Sequence, residues 1–315
     1  MKVYLDCFPC FMRQALEAAR MATNDPALQR EVLDRVAELL PTVPLDSTPI
    51  DIGQLVHRLV REVTGVADPY KEVKKESNDL GLKLYTSLKS QVQSSEDPFL
   101  TALKIAGAGN IIDFGPKLTL DYNRSIEQIV NDSFTQALQN PLDQAQYRAF
   151  KEKLAEVRKI LYLGDNTGEI VCDKILIEKL VQRGKKVTFV TRGEPTINDA
   201  TLADARYVGL DKVASVMTNG SDAPGTRLVD CSPEFMAAFQ SAGLIISKGQ
   251  GNFEGLSDVP GPIFFLFKVK CPVIAREAGS EIGTVVLKEQ GEKGSADLRH
   301  DRDCRFPQTR DANRP

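Results

Sequence analysis

Residues 159–191 read KILYLGDNTGEIVCDKILIEKLVQRGKKVTFVT. KILYL is a short apolar run that ends in a polar loop, Gly164-Asp165-Asn166-Thr167-Gly168-Glu169. The stretch IVCDKILIEKLVQRG then repeats apolar residues at helical spacing and closes on Gly184, and KVTFV is a second run. A strand, a helix and a second strand of this kind predict a parallel pair joined by a right-handed crossover. Downstream, ASVMTNG (214–220), LIISKGQG (244–251) and PIFFLFKV (262–269) read as further buried strands, with the helical PEFMAAFQSAG (233–243) among them. The expectation is an α/β domain over 158–288: a doubly wound, mainly parallel sheet in an α/β/α sandwich.

The chain changes character on either side of that span. Upstream, FMRQALEAARMA (11–22), LQREVLDRVAELL (28–40) and IGQLVHRLVREVTG (52–65) place apolar residues three and four apart, as do Pro69 to Leu88, PFLTALKIA (98–106) and SIEQIVNDSFTQAL (125–138). Pro26, Pro41, Pro44, Pro98 and Pro141 punctuate them. Residues 1–157 are therefore expected to form a helical N-terminal domain or cap. From residue 289 to 315 apolar content almost vanishes, which reads as a disordered tail.

Composition removes several functions. The 315 residues carry 40 basic and 43 acidic side chains, so no whole-chain basic footprint for nucleic acid or an anionic membrane exists. No apolar run reaches the roughly 18 residues of a membrane span, and the N-terminus MKVYLDCFPC lacks the regions of a signal peptide. A cytoplasmic protein is expected, with oligomeric state open. The two histidines, His57 and His300, have no supporting motif, which argues against serine- or cysteine-histidine catalysis and against a histidine-rich metal site. Any metal must be held by carboxylates, amides or thiolates.

Ligands of an open parallel sheet bind beyond the carboxyl ends of its strands. Those ends carry Gly164 to Glu169, then Arg192-Gly193-Glu194-Pro195 with Asn198-Asp199-Ala200-Thr201, then Asn219 to Thr226 with Gly220, and finally Lys248-Gly249-Gln250-Gly251-Asn252. Singly, Asp165-Asn166 can be an Asx turn and helix cap, Asn198-Asp199 a helix start, and Lys248 a solvated strand end. Together, four loops converge on one crevice. Asp165 and Asp199 would approach each other there, with Glu169 and Asp173 nearby. Their repulsion would need a proton or a cation. With the amide oxygen of Asn166 they form a hard-oxygen set suited to Mg²⁺ or Mn²⁺. Arg192, Lys248 and the glycine-rich loops around Gly220 and Gly249 would oppose the metal with positive charge and N–H groups, which describes a phosphate pocket. GDNTGE is not the dinucleotide fingerprint G-x-G-x-x-G.

GDNTGEIVCD, RGEPTINDATLADA, GSDAPGT and SKGQGNFEGL, in that order, resemble the metal-dependent damage-control phosphatases, whose shared ARMT-like domain was formerly a domain of unknown function. ALKIAGAGNIIDFG and the N-terminal CFPCFMRQAL are similar to the same family, so the resemblance runs over about 1–288. It implies a divalent ion (Mn²⁺, Mg²⁺, Co²⁺ or Ni²⁺) on Asp165, Asn166 and Asp199, with Asp204 as the alternative to Asp199. It further implies Lys248 on the phosphate, and Glu169 and Asn198 at the pocket, where the loop reading also places Arg192 and Asn252. Asn110 and Asp113 of GNIIDFG either close over the substrate or cap a helix end. The expected reaction is hydrolysis of a small phosphomonoester by a metal-activated water. Glu169 or a neighbouring carboxylate would orient that water or protonate the leaving oxygen, and Asp165 as a covalent nucleophile is the alternative. Rival readings are an S-adenosylmethionine-dependent methyltransferase and a non-catalytic metal or phosphometabolite binder. The resemblance is to the prokaryotic-type subgroup with a CxxC. Cys7, Cys10 and Cys271 read as a second metal site, a redox pair, or buried thiols.

Overall fold

In a computed structural model, residues 1–112 and 126–291 are described; the expected tail from 292 onward and Asp113 lie outside them. β1 (Lys159–Leu163) decides the architecture because it is apolar on both faces. Ile160 and Tyr162 enter one core, Leu161 and Leu163 another. Both faces of the sheet must therefore be covered, as buried parallel sheets require. β2 (Lys186–Thr191), β3 (Ser215–Thr218), β4 (Ile245–Lys248), β5 (Ile263–Lys268) and β6 (Val285–Glu289) complete six strands in the order β3-β2-β1-β4-β5-β6. All pairs are parallel except β5 with β6. The α/β expectation holds. β6 was not foreseen: VVLKE is short, and its partner β5 is specified only by the fold.

One face is packed by α4 (Lys71–Ser94), α5 (Pro98–Ala108), α6 (Ile126–Gln139), α7 (Gln144–Glu156), α8 (Glu169–Gln182) and α9 (Leu202–Tyr207). The other is packed by α10 (Pro233–Ser241), α11 (Gly249–Leu256) and α12 (Pro272–Ala278). α1 (Cys7–Ala22), α2 (Pro26–Leu39) and α3 (Pro49–Thr64) build a third apolar cluster around Ala15, Val36 and Val56. So α4–α7 share their core with the sheet, while α1–α3 bury mainly one another.

The strand order positions the site. From β1 the chain winds outward through β2 to β3, then returns to lay β4 on the other side of β1. The direction of winding reverses between β1 and β4, and the crevice beyond their carboxyl ends is where such sheets bind ligands. Asp165 and Lys248 stand at those two ends.

Candidate active site

The loop after β1 is fastened to the loop after β2 by backbone. Ala200 N–H donates to the Asp165 carbonyl (2.8 Å) and Thr167 N–H to the Asn198 carbonyl (2.9 Å), with an isolated antiparallel bridge between Asn166 and Asp199. Gly168, at φ +74°, turns the chain into α8 while its N–H donates to Asn78 Oδ1 of α4 (2.8 Å). Asp165, Asn166, Glu169, Asp173, Arg192, Asp199 and Lys248 are thereby buried together.

Arg192, at the end of β2, lies between the two aspartates. Its Nε donates to Asp199 Oδ2 (2.5 Å) and its Nη2 to Asp165 Oδ1 (3.4 Å). Asn166 Nδ2 donates to Asn198 Oδ1 (3.1 Å) and Asp199 Oδ1 (3.3 Å), and its Oδ1 accepts from Asn110 Nδ2 (2.8 Å). The other Asp165 oxygen, Oδ2, sits over Gly249, where a Cβ would lie 1.9 Å away. Lys248 has no solvent exposure. Its ammonium donates to Glu169 Oε1 (2.5 Å), Asp173 Oδ1 (2.7 Å) and the Ala106 carbonyl of α5 (2.8 Å). Tyr162 O–H also donates to Asp173 Oδ1 (2.7 Å). Glu169 Oε2 and Asp173 Oδ2 are buried with no partner among the described residues.

Among the described residues, these four buried carboxylates are paired with two buried cations, so if all four were ionised two negative charges would be unmatched. Burial drives the Asp165 carboxyl well above the usual range, aided by Asp199 and Glu169 and only partly opposed by Arg192. Burial also raises Asp199 against Arg192, and lifts Asp173 to about 6 against Lys248. Burial pulls Lys248 down, but Asp173 and Glu169 outweigh it and hold the ammonium charged. An excess of two acidic groups that a cation would ionise, oxygen donors on Asp165, Asn166 and Asp199, and a side-chain-free position beneath Asp165 fit a small divalent cation.

The remaining expected residues separate into roles. Asp204 caps α9: its Oδ2 accepts from Thr201 N–H (2.9 Å) and Oγ1 (2.6 Å), and it also takes Asn78 and Lys74. Asp199, not Asp204, therefore faces Asn166. Asn252 is committed to fastening loops, donating to the Gly164 and Lys248 carbonyls (3.0 and 2.8 Å) and accepting from Thr226 (2.8 Å). Gly220 packs on Gly193, where a Cβ would meet its carbonyl carbon at 2.5 Å, and its N–H is taken by Thr218 Oγ1 (3.0 Å). Cys7, Cys10 and Cys271 are free and part-exposed, and burial raises the Cys7 thiol. Among the described residues no three Cys, His, Asp or Glu side chains are gathered for a metal, the three thiols included. Sequence reasoning missed Asn78, Lys74, Tyr162 and the Ala106 carbonyl. The signal for the first two is a buried stripe at helical spacing in α4, Lys74, Ser77, Asn78 and Gly81, whose polar members have no reason to be inside a plain core.

Residues 3–286 match the family described as the damage-control phosphatase ARMT1-like domain. A damage-control phosphatase of Archaeoglobus fulgidus is 34% identical over 292 residues, covering 91% of this chain and 99% of that protein. One of Pyrococcus horikoshii is 34% identical over 290 residues, covering 91% and 97%. The crystal structure of a DUF89 family protein from Pyrococcus horikoshii superposes with a TM-score of 0.83 at 33% identity, covering 92% of this chain and 100% of that one.

Proposed function

The chain belongs to the damage-control phosphatase ARMT1-like family, and from that membership we propose that it is a divalent-metal-dependent phosphatase of small phosphorylated metabolites. The observation that supports metal dependence is the excess of acidic groups: among the described residues, four buried carboxylates are ion-paired with Arg192 and Lys248. Asp165, Asn166 and Asp199 would hold Mn²⁺, Mg²⁺, Co²⁺ or Ni²⁺. Such an ion, when bound, offsets charge on the phosphoryl oxygens and acidifies water. Arg192 orients both aspartates from between them. Lys248 fixes Glu169 through Oε1, which leaves Glu169 Oε2, without a partner among the described residues, to orient water or return a proton to the leaving oxygen. Direct contact of Lys248 with phosphate requires it to release one of its three present acceptors. Burial of the whole cluster excludes bulk water and strengthens each of these interactions.

The test is phosphate release from a panel of phosphorylated metabolites with each of the four ions and with EDTA. Release that depends on the ion, and its loss in a folded Asp165→Ala variant, is expected. Turnover undiminished by EDTA, or none with any ion, rejects the reading; heat protection by ligands without release would favour a binding protein.

A further inference from the structure

α3 and the loop after β2 meet over a cavity of about 10 Å³ lined chiefly by His57, Arg61, Asp68, Tyr70, Thr196 and Ile197. Two polar atoms of its lining residues have no partner among the described residues: His57 Nε2 and Thr196 Oγ1. Their residues are only 3% and 2% exposed, and buried polar atoms are seldom left unpaired. The cavity has room for the centre of one water molecule. The neighbouring charges have other commitments. Arg61 donates to the Pro195 carbonyl (3.1 Å) and to Asp222 (2.6 Å), and Asp68 accepts from Lys74 (3.2 Å) and Tyr70 N–H (3.1 Å). Burial, with Arg61 beside it, keeps the imidazole neutral down to about 4, so Nε2 presents either an N–H or a lone pair. Water can answer either, and can serve the threonine hydroxyl at the same time.

The turn at this spot needs support. Ile197 has φ +43°, left-handed backbone that a β-branched residue rarely adopts. Asp199 N–H closes the turn on the Thr196 carbonyl (3.1 Å), so the turn's shape sets where Asp199 stands.

We infer that one internal water, hydrogen-bonded to His57 Nε2 and Thr196 Oγ1, pins the Thr196–Asp199 turn to α3, and that His57 is thereby a positioning residue for Asp199. The bridge stands by itself; its consequence for a cation rests on the proposed function.

The full chain with His57→Phe, Thr196→Val or both forms a double-mutant cycle. Urea unfolding in EDTA reads the bridge. Both side chains act through one water, so the second substitution should add little to the first. Calorimetry with Mn²⁺ reads the consequence: each single variant should bind roughly three- to tenfold more weakly, and the double no worse than the weaker single. Thr196→Ser, which keeps the hydroxyl, should restore wild-type affinity. Additive losses in urea, or a crystal structure with an empty cavity, overturn the water. Unchanged Mn²⁺ affinity in both single variants overturns the positioning role. If the unaltered chain takes up no Mn²⁺, the metal reading fails instead, while urea and electron density still judge the bridge.

Discussion

At position 249 the absence of a side chain is a requirement of the site. The backbone there has φ +79°, and a Cβ would lie 1.9 Å from Asp165 Oδ2. Gly249→Ala is expected to cost about 1–2 kcal/mol in urea unfolding from its left-handed backbone. By driving Asp165 aside, it should also weaken Mn²⁺ binding by roughly tenfold or more in calorimetry. Asp165, Asn166, Asp199 and Arg192 were legible in the sequence because strand ends of a parallel sheet point one way, so loops after different strands must share one crevice. The setting of Lys248 was not legible. A lysine ending a strand reads as a cation facing solvent or ligand, and its carboxylate partners Glu169 and Asp173 lie 79 and 75 residues away, beyond any periodic signal. The same holds for Gly249, whose glycine character is set by a carboxylate on another strand's loop.

At the scale of elements, α3 is the strut for the two loops that follow β2 and β3. Its start is fixed by a reciprocal cap, with Thr48 and Asp51 each bonded to the other's backbone. Gln54, Arg58 and Arg61 along one side then grip Asp222 at 2.6 to 2.8 Å. Burial alone would raise the Asp222 carboxyl, but the bonds from Arg58 and Gln54 outweigh it and hold the group down at about 2. The folded value lies below the ordinary 3.8, so the stabilisation is complete above about pH 4 and is lost as pH falls through about 2. Asp222→Asn should therefore cost about 1–2 kcal/mol at pH 6, a partly screened charged contact, with the gap to wild type narrowing between pH 4 and 2 in urea titrations. Helices with regular apolar spacing, α1 to α3 among them, could be read in advance. α12 and β6 could not: seven and five residues give too few repeats to fix a period, and β6 gains its pairing only from β5.

For the molecule as a whole, the site draws on α4 through Asn78, α5 through the Ala106 carbonyl, and the loops after β1, β2 and β4, so an ion bound there would be linked to global unfolding. Mn²⁺ at a hundred times its dissociation constant should stabilise the fold by about 2.7 kcal/mol, and EDTA should return the unfolding midpoint to the ion-free value. Scanning calorimetry across an Mn²⁺ series checks this; a midpoint indifferent to Mn²⁺ would count against a site for the ion in the folded chain. The strand order has a further consequence for how the protein is made. Leu161 must await Ile245, about eighty residues later, before the second edge of β1 is closed. At ribosomal speeds of roughly 5–20 residues per second, that central strand spends several seconds with one edge open on the nascent chain, the interval in which an unpaired β-edge is exposed to wrong pairing.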